Sequence, residues 1–328
     1  MKQKLLRIIY NLNGFKPFHL LNRRKILILM YHRFSETQTP YRISAVEFEE
    51  HLKYLSKHNT VVSMEDAANA LANGKKLPPN PTVITIDDGY SDAYDIAFPI
   101  LKKHEMPATL FTISDFVEGK IWLWTDIMRY VFLETKRNKI TFEFGEAEKF
   151  SEHLGDKPQR FGIADRINSC LKQLSDYEKE LRIQEIAAFM DVEIPLVPTK
   201  DFAAVTWAQA SEMDKSSVKI EAHTVSHPIL PNVQKERVET ELKQGKDAIE
   251  KKLSREIKHF CYPNGAISEE VVEVVQASGY ETAVTTEYGF NHQQTNPFLL
   301  KRIDASASIE NFAQSVSGFE SFRLKIKI

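Results

Sequence analysis

Seven short strand-like runs recur along this chain, several of them apolar at nearly every position: 25–31 (KILILMY), 82–87 (TVITID), 108–113 (ATLFTI), 218–223 (VKIEAH), 257–263 (IKHFCYP), 280–286 (YETAVTT) and 299–304 (LLKRID). Amphipathic segments with helical spacing lie between them, at 46–57, 91–104, 234–252, 268–278 and 309–317. Strand runs alternating with helical patterns predict a parallel sheet, open or closed into a barrel. Runs without polar alternation predict strands covered on both faces. Residues 119–205 break the rhythm: charged helical stretches end in the proline-bearing DVEIPLVPTKDF. This segment reads as a largely helical insertion over the mouth of the barrel, with too few apolar residues in its middle for a separate core. The expected organisation is a basic amphipathic segment at 1–25, a catalytic domain at 26–318 with its insertion, and a tail at 319–328.

Sites on such sheets gather at the carboxyl ends of the strands. Here those ends are polar. The first run leads into Tyr31-His32-Arg33, the second into Asp87-Asp88-Gly89 and the fourth into His223, while the fifth ends at Pro263 and the seventh carries Arg302. Adjacent carboxylates repel, and burying one without a partner costs several kcal/mol, so the doublet asks for a cation. EAHTVSHPIL places His223 and His227 four residues apart. If a helical turn follows the strand, both imidazoles share a face and can reach one divalent ion at about 2.0–2.1 Å. Two surface histidines on one turn would show the same spacing. One carboxylate and two histidines, with coordination positions left for water, form a sound catalytic metal set. Neighbouring aspartates on an extended chain point in different directions. One can therefore bind the metal while the other accepts a proton.

Charge and cysteine content narrow the field. Lys plus Arg number 43 against 45 Asp plus Glu, a formal charge of -2, which gives no electrostatic case for a nucleic-acid partner. Cys170 and Cys261 lie far apart and outside any CxxC pattern, so neither a disulfide framework nor a zinc finger is expected. The first 25 residues hold seven basic side chains and no acid; the first acid is Glu36. Their apolar runs are too broken to span a bilayer or to serve as a signal-peptide core. Residues 1–24 fit an amphipathic segment resting on an anionic membrane, or a helix packed on the domain with a solvated basic face. Cytoplasmic residence, at the inner face of the membrane, is the matching expectation.

Several segments resemble the polysaccharide deacetylases, carbohydrate esterase family four. TIDDGY is similar to that family's TFDDG motif, HTVSH to its H-[ST]-xx-H motif, and FCYPNG (260–265) to its third motif. VTWAQASEM (205–213), ILMYHRF (28–34) and NPFLLKRI (296–303) resemble flanking segments of a branch associated with bacterial surface polysaccharides. The resemblance covers most of 26–318 and is thin across 120–200. It implies a distorted (β/α) barrel of about seven parallel strands, and an enzyme that deacetylates an N-acetylated, in some members O-acetylated, glycan. Asp87 matches the catalytic base. Asp88, His223 and His227 match the ligands of one divalent metal ion, usually zinc. Tyr262 and Pro263 of the third motif are the candidate substrate-binding residues, with a backbone N–H near Tyr262 as oxyanion donor, and Trp207 either lines the acetyl pocket or packs in the core.

The chain departs from the family at two places. Cys261 stands where many members carry the arginine that orients the catalytic aspartate; Arg302 is the candidate substitute, and nothing near Cys261 in sequence activates it as a nucleophile. The late Leu-x-His motif that supplies the catalytic acid is missing. His32, at a strand end, His292, in a polar loop, and a metal-bound water are the three candidates for that role. Trp122 and Trp124 in the insertion read either as sugar-stacking or as core residues. A hydrolase of small amides and a non-catalytic glycan-binding scaffold are the competing readings.

Overall fold

In the computed structural model, which describes residues 2–144, 148–305 and 308–325, each of the seven runs is a strand. They are β1 (Leu27–Tyr31), β2 (Pro81–Ile86), β3 (Ala108–Thr112), β4 (Val218–Ala222), β5 (His259–Cys261), β6 (Thr282–Tyr288) and β7 (Leu300–Asp304). All seven are parallel, in the order β1-β7-β6-β5-β4-β3-β2, and β1 pairs with β2 to close the barrel. The pairing of Tyr31 with Ile86 aligns the carboxyl ends of β1 and β2. Every residue of β2 and of β3 is buried, because helices cover the outside and side chains fill the inside.

Helix α1 (Lys2–Asn11) and helix α2 (Lys16–Asn22) precede the barrel. Helix α3 (Ala45–His58) starts at a capping box in which Ser44 and Glu47 satisfy each other's backbone N–H groups. It turns Phe48, Leu52 and Leu55 into the core, one face of a helical period.

The insertion is more substantial than its composition suggests. Helices α4 (Trp124–Glu134), α5 (Lys157–Leu171) and α6 (Asp176–Phe189) pack with a hairpin of strands Lys139–Phe144 and Glu148–His153. Together they enclose a hydrophobic core of their own, including Met128, Phe132, Ile140, Phe150, Ile167, Ile183 and Met190. The expectation of a thin core is corrected: the apolar residues are spread over five elements, so no single stretch looks rich.

Three further helices matter below: α7 (Lys235–Leu253), α8 (Ile309–Ser317) and α9 (Phe319–Lys325). The segment expected to be a tail is thus helical through Lys325. Phe319 packs against Phe15 and, edge-on, against Phe18, tying both ends of the chain together.

Candidate active site

The acidic doublet is split by its backbone. The Asp87 N–H donates to Tyr31 O (2.9 Å), so Asp87 still belongs to the β1–β2 ladder. Asp88 then adopts φ 74° and Gly89 φ 87°. The Gly89 N–H donates to Asp87 O at 3.0 Å, closing a three-residue turn around Asp88. Such turns are rare for a residue with a side chain and cost about 1–3 kcal/mol. Gly89 suits its left-handed φ, and a Cβ there would also crowd Thr112 Cγ2 at 3.1 Å. The turn sends the two carboxylates to different partners.

Asp87 meets Arg302. The guanidinium donates to both carboxylate oxygens at 2.7 Å, to Thr285 O at 2.8 Å and to Thr85 Oγ1 at 3.1 Å. Both side chains are buried. Burial opposes ionisation of Asp87, but the Arg302 charge and its two hydrogen bonds outweigh that and hold the carboxyl below its usual range. Cys261 Sγ sits 3.2 Å from the guanidinium and 3.4 Å from Asp87 Oδ2. Burial pushes its thiol up, so it is a packed neutral group here rather than a nucleophile.

Asp88 meets the two imidazoles. Its Oδ1 lies 3.4 Å from His223 Nε2 and 3.7 Å from His227 Nε2. His223 Nδ1 donates to Cys261 O at 2.7 Å, which fixes the tautomer and leaves Nε2 facing the carboxylate. Burial, then the neighbouring His223, pushes His227 down to about 3, so it offers a lone pair. Burial disfavours charge on His223, but Asp88 and Asp87 beside it draw its proton affinity up. The three donor atoms converge, all within 4.8 Å of one another. Ligands about 2.0–2.1 Å from a tetrahedral ion are roughly 3.3–3.4 Å apart, close to the spacings found. The donor set fits a divalent metal.

The sequence profile of the polysaccharide deacetylases matches residues 74–143 and 168–283, spanning the doublet and both histidines. The chain belongs to the polysaccharide deacetylase family. It is 23% identical over 290 residues to YxkH of Bacillus subtilis, covering 88% of this chain and 74% of that protein. Over 103 residues it is 29% identical to the poly-β-1,6-N-acetyl-D-glucosamine N-deacetylase of Staphylococcus aureus, covering 30% of this chain and 35% of the other. Among solved structures it is similar in fold to the Streptococcus pyogenes deacetylase PplD, with TM-score 0.61, 21% identity and coverage of 90% and 99%. It is likewise similar to IcaB from Ammonifex degensii, with TM-score 0.58, 18% identity and coverage of 89% and 97%.

The histidine loop of this deacetylase is not the helical turn expected from its spacing. Residues 223–229 are irregular, and Thr224 (φ 68°) and His227 (φ 60°) are held in the left-handed region. A buried carboxylate, Glu241 of α7, holds the loop in place. It accepts the Val225 and Ser226 N–H groups at 2.9 Å each and the Ser226 hydroxyl at 2.6 Å. Thr224 Oγ1 accepts the His227 N–H at 3.0 Å. Sequence reasoning missed Glu241. Its signal was present: it shares the buried face of α7 with Val238, Leu242, Gly245 and Ile249.

The other expected site residues divide. His32 Nε2 lies 3.8 Å from Asp87 Oδ2, and 42% of its side chain is exposed. His292 lies in a cleft with Arg23, Arg24 and Pro81, at the end of the barrel where β1 and β2 begin, and so cannot reach the reaction. Tyr262 is fully buried, with its hydroxyl donating to Phe298 O and its N–H to Val284 O. Its ring is packed away from solvent, which corrects the substrate-binding role expected of it, and its own N–H is taken up by the barrel ladder. Pro263 is buried as well. Trp207 is half-buried against the barrel core, and its Nε1 donates to Glu118 at 2.8 Å. Trp124 belongs to the insertion core, and Trp122 packs against Tyr130 and Phe202.

The aromatic surface lies elsewhere. A cleft of about 250 Å³ between barrel and insertion is lined by Tyr41, Phe161, Arg33, Arg42 and Lys157, among others. Tyr41, 51% exposed, holds φ 70° and packs on Phe161, with ring centroids 5.3 Å apart. Arg33, next to His32, lies over the Tyr90 ring at 3.8 Å, and the Tyr90 hydroxyl donates to the buried Asp126 at 2.6 Å. This chain of contacts joins the acidic turn to the insertion.

Proposed function

We propose that the deacetylase is a metal-dependent hydrolase that removes acetyl groups from an N-acetylated sugar polymer or its precursor. The observation that carries this reading is the division of the doublet, with Asp87 locked to Arg302 and Asp88 turned toward two imidazoles. Asp88, His223 and His227 would hold one divalent ion, with zinc the choice that an Asp-His-His set favours. Such an ion supplies a Lewis acid for the acetyl carbonyl and acidifies a water molecule. Asp87, kept ionised and aimed by Arg302, takes the proton of the attacking water. His32, on the solvent side of Asp87, gives a proton to the departing amine. The Tyr41–Phe161 surface supports a sugar ring beside the site, since apolar sugar faces suit aromatic rings. The staphylococcal relative's name supports an N-acetylglucosamine polymer as the substrate class.

Acetate release from N-acetylglucosamine oligomers, measured alongside bound metal, tests the reading. The native protein releases acetate and binds one ion per chain. Asp88→Asn loses both, whereas Asp87→Asn keeps the ion and loses turnover. Full activity after either substitution would overturn the proposal.

A further inference from the structure

Helix α1 is apolar on two sides. Leu6 is buried, and Ile9 and Tyr10 pack against the barrel core. Leu5, Ile8 and Leu12, at i, i+3 and i+7, stand on a different side and are 59%, 54% and 75% exposed. Around α2 the pattern recurs. Phe15 and His19 are buried, while Leu20 and Leu21 are 60% and 72% exposed. A single exposed leucine needs no explanation; five large apolar side chains within residues 5–21 do.

Charge identifies what covers them. Lys4, Arg7, Lys16, Arg23 and Arg24 are exposed among these apolar residues, and the chain holds no acid before Glu36. Arg7 and Lys16 also line a cleft of about 530 Å³ with Lys53 and Lys57 of α3, facing Glu50 and Glu310. A second copy of this chain would bring the same cations against themselves. Nucleic acid would meet the cations but leave the leucines in water. An anionic lipid surface satisfies both, with apolar side chains entering the acyl boundary and cations meeting headgroups. Among the described residues no helix is long and apolar enough to cross a membrane, so the contact is peripheral.

We infer that α1 and α2 dock the deacetylase on an anionic membrane. Helix α2 lies where the strands begin: Arg23 O accepts the Asn80 N–H just before β2, and Asn22 donates to Ser317 O at the end of α8. Asp87 and Asp88 follow the opposite end of β2, which at six residues puts them about 20 Å away. The docked enzyme therefore keeps its reactive end clear of the lipid, suited to a glycan standing off the surface. The inference is independent of the metal-site reading.

Vesicle flotation of the full chain tests it. Vesicles of phosphatidylcholine are compared with vesicles containing about a third phosphatidylglycerol. Binding is expected only to the anionic vesicles, and is expected to fall when salt shortens the Debye length to about 3 Å. Each cation replaced by Gln, at Arg7, Lys16 or Arg24, is expected to weaken binding roughly fivefold. Leu5→Gln/Ile8→Gln/Leu12→Gln is expected to abolish flotation while acetate release from a soluble oligomer stays unchanged. Equal flotation with neutral and anionic vesicles would overturn the inference. So would a dimer in solution that these leucine substitutions dissociate, which would assign the surface to a second copy.

Discussion

Arg302 grips both oxygens of Asp87, at 2.7 Å each, from 215 positions away in the sequence. The contact needs the closed barrel, because β7 and β2 flank β1 from opposite sides. Arg302→Lys keeps the charge but cannot span both oxygens. The expected outcome is a fall in kcat of about 100-fold or more, with KM for an acetylated oligomer nearly unchanged. Arg302→Met strands a buried carboxylate and is expected to destabilise the fold by roughly 3–5 kcal/mol in urea titration. A Met variant as stable as the native chain would show that the pair does not hold the barrel.

If His32 protonates the leaving amine, its importance depends on the leaving group. His32→Gln should slow release of acetate from an N-acetylated sugar by about 10²–10⁴-fold. An aryl acetate, whose phenolate leaves without a proton, should be hydrolysed at nearly the native rate. Equal losses on both substrates would assign His32 a different role.

Glu241 touches neither substrate nor the proposed ion; it positions the histidine loop through Val225 and Ser226. Support of this kind changes metal affinity by about 10–100-fold. Glu241→Ala is expected to lower zinc affinity in chelator competition by that factor, with Glu241→Gln intermediate because one acceptor remains. Excess zinc should restore turnover to the Gln variant. Unchanged affinity in both variants would reduce Glu241 to a fold residue.

Away from the site, Arg255 binds Asp214 through both Nε and its terminal nitrogen and Glu221 at 3.0 Å. Burial raises the Asp214 carboxyl, but the Arg255 hydrogen bonds outweigh it and depress its pKa. A depressed carboxyl stabilises the fold above its unfolded value, about 3.9, and loses that contribution as pH falls through the folded value. Arg255→Met should therefore cost about 3 kcal/mol near pH 7, the low end for a buried pair because Arg255 keeps 25% exposure. The gap between variant and native chain should narrow on acidification below about pH 4. A gap that stays constant from neutral to acid pH would mean that packing, not the ion pair, sets it.

The architecture was legible because strands buried on both faces, such as β2 and β3, read as nearly unbroken apolar runs, and all seven runs proved to be barrel strands. The site was legible where chemistry sits on strand ends: Asp87, Asp88 and His223 directly follow one, while Arg302 lies inside β7 and stood out as a cation within an apolar run. Local geometry was less readable. The spacing of His223 and His227 is the same in a helical turn and in the loop that occurs, and contacts from elsewhere in the chain, Glu241 among them, decide between them. Tyr262 follows a strand of three residues, too short for alternation to tell an inward ring from an exposed one. Trp124 reads as a sugar platform in isolation, and becomes core only when helices on both sides of a hairpin close over it.

The central claim is that Asp88, His223 and His227 share one divalent ion while Asp87 stays with Arg302. An anomalous difference map from zinc-loaded crystals, recorded at the zinc edge, tests it most directly. The account predicts a single strong peak about 2.0–2.2 Å from Asp88 and from both imidazole Nε2 atoms, with the Arg302–Asp87 pair intact. A peak held by other residues, or imidazoles turned away from Asp88 in the loaded protein, would contradict it.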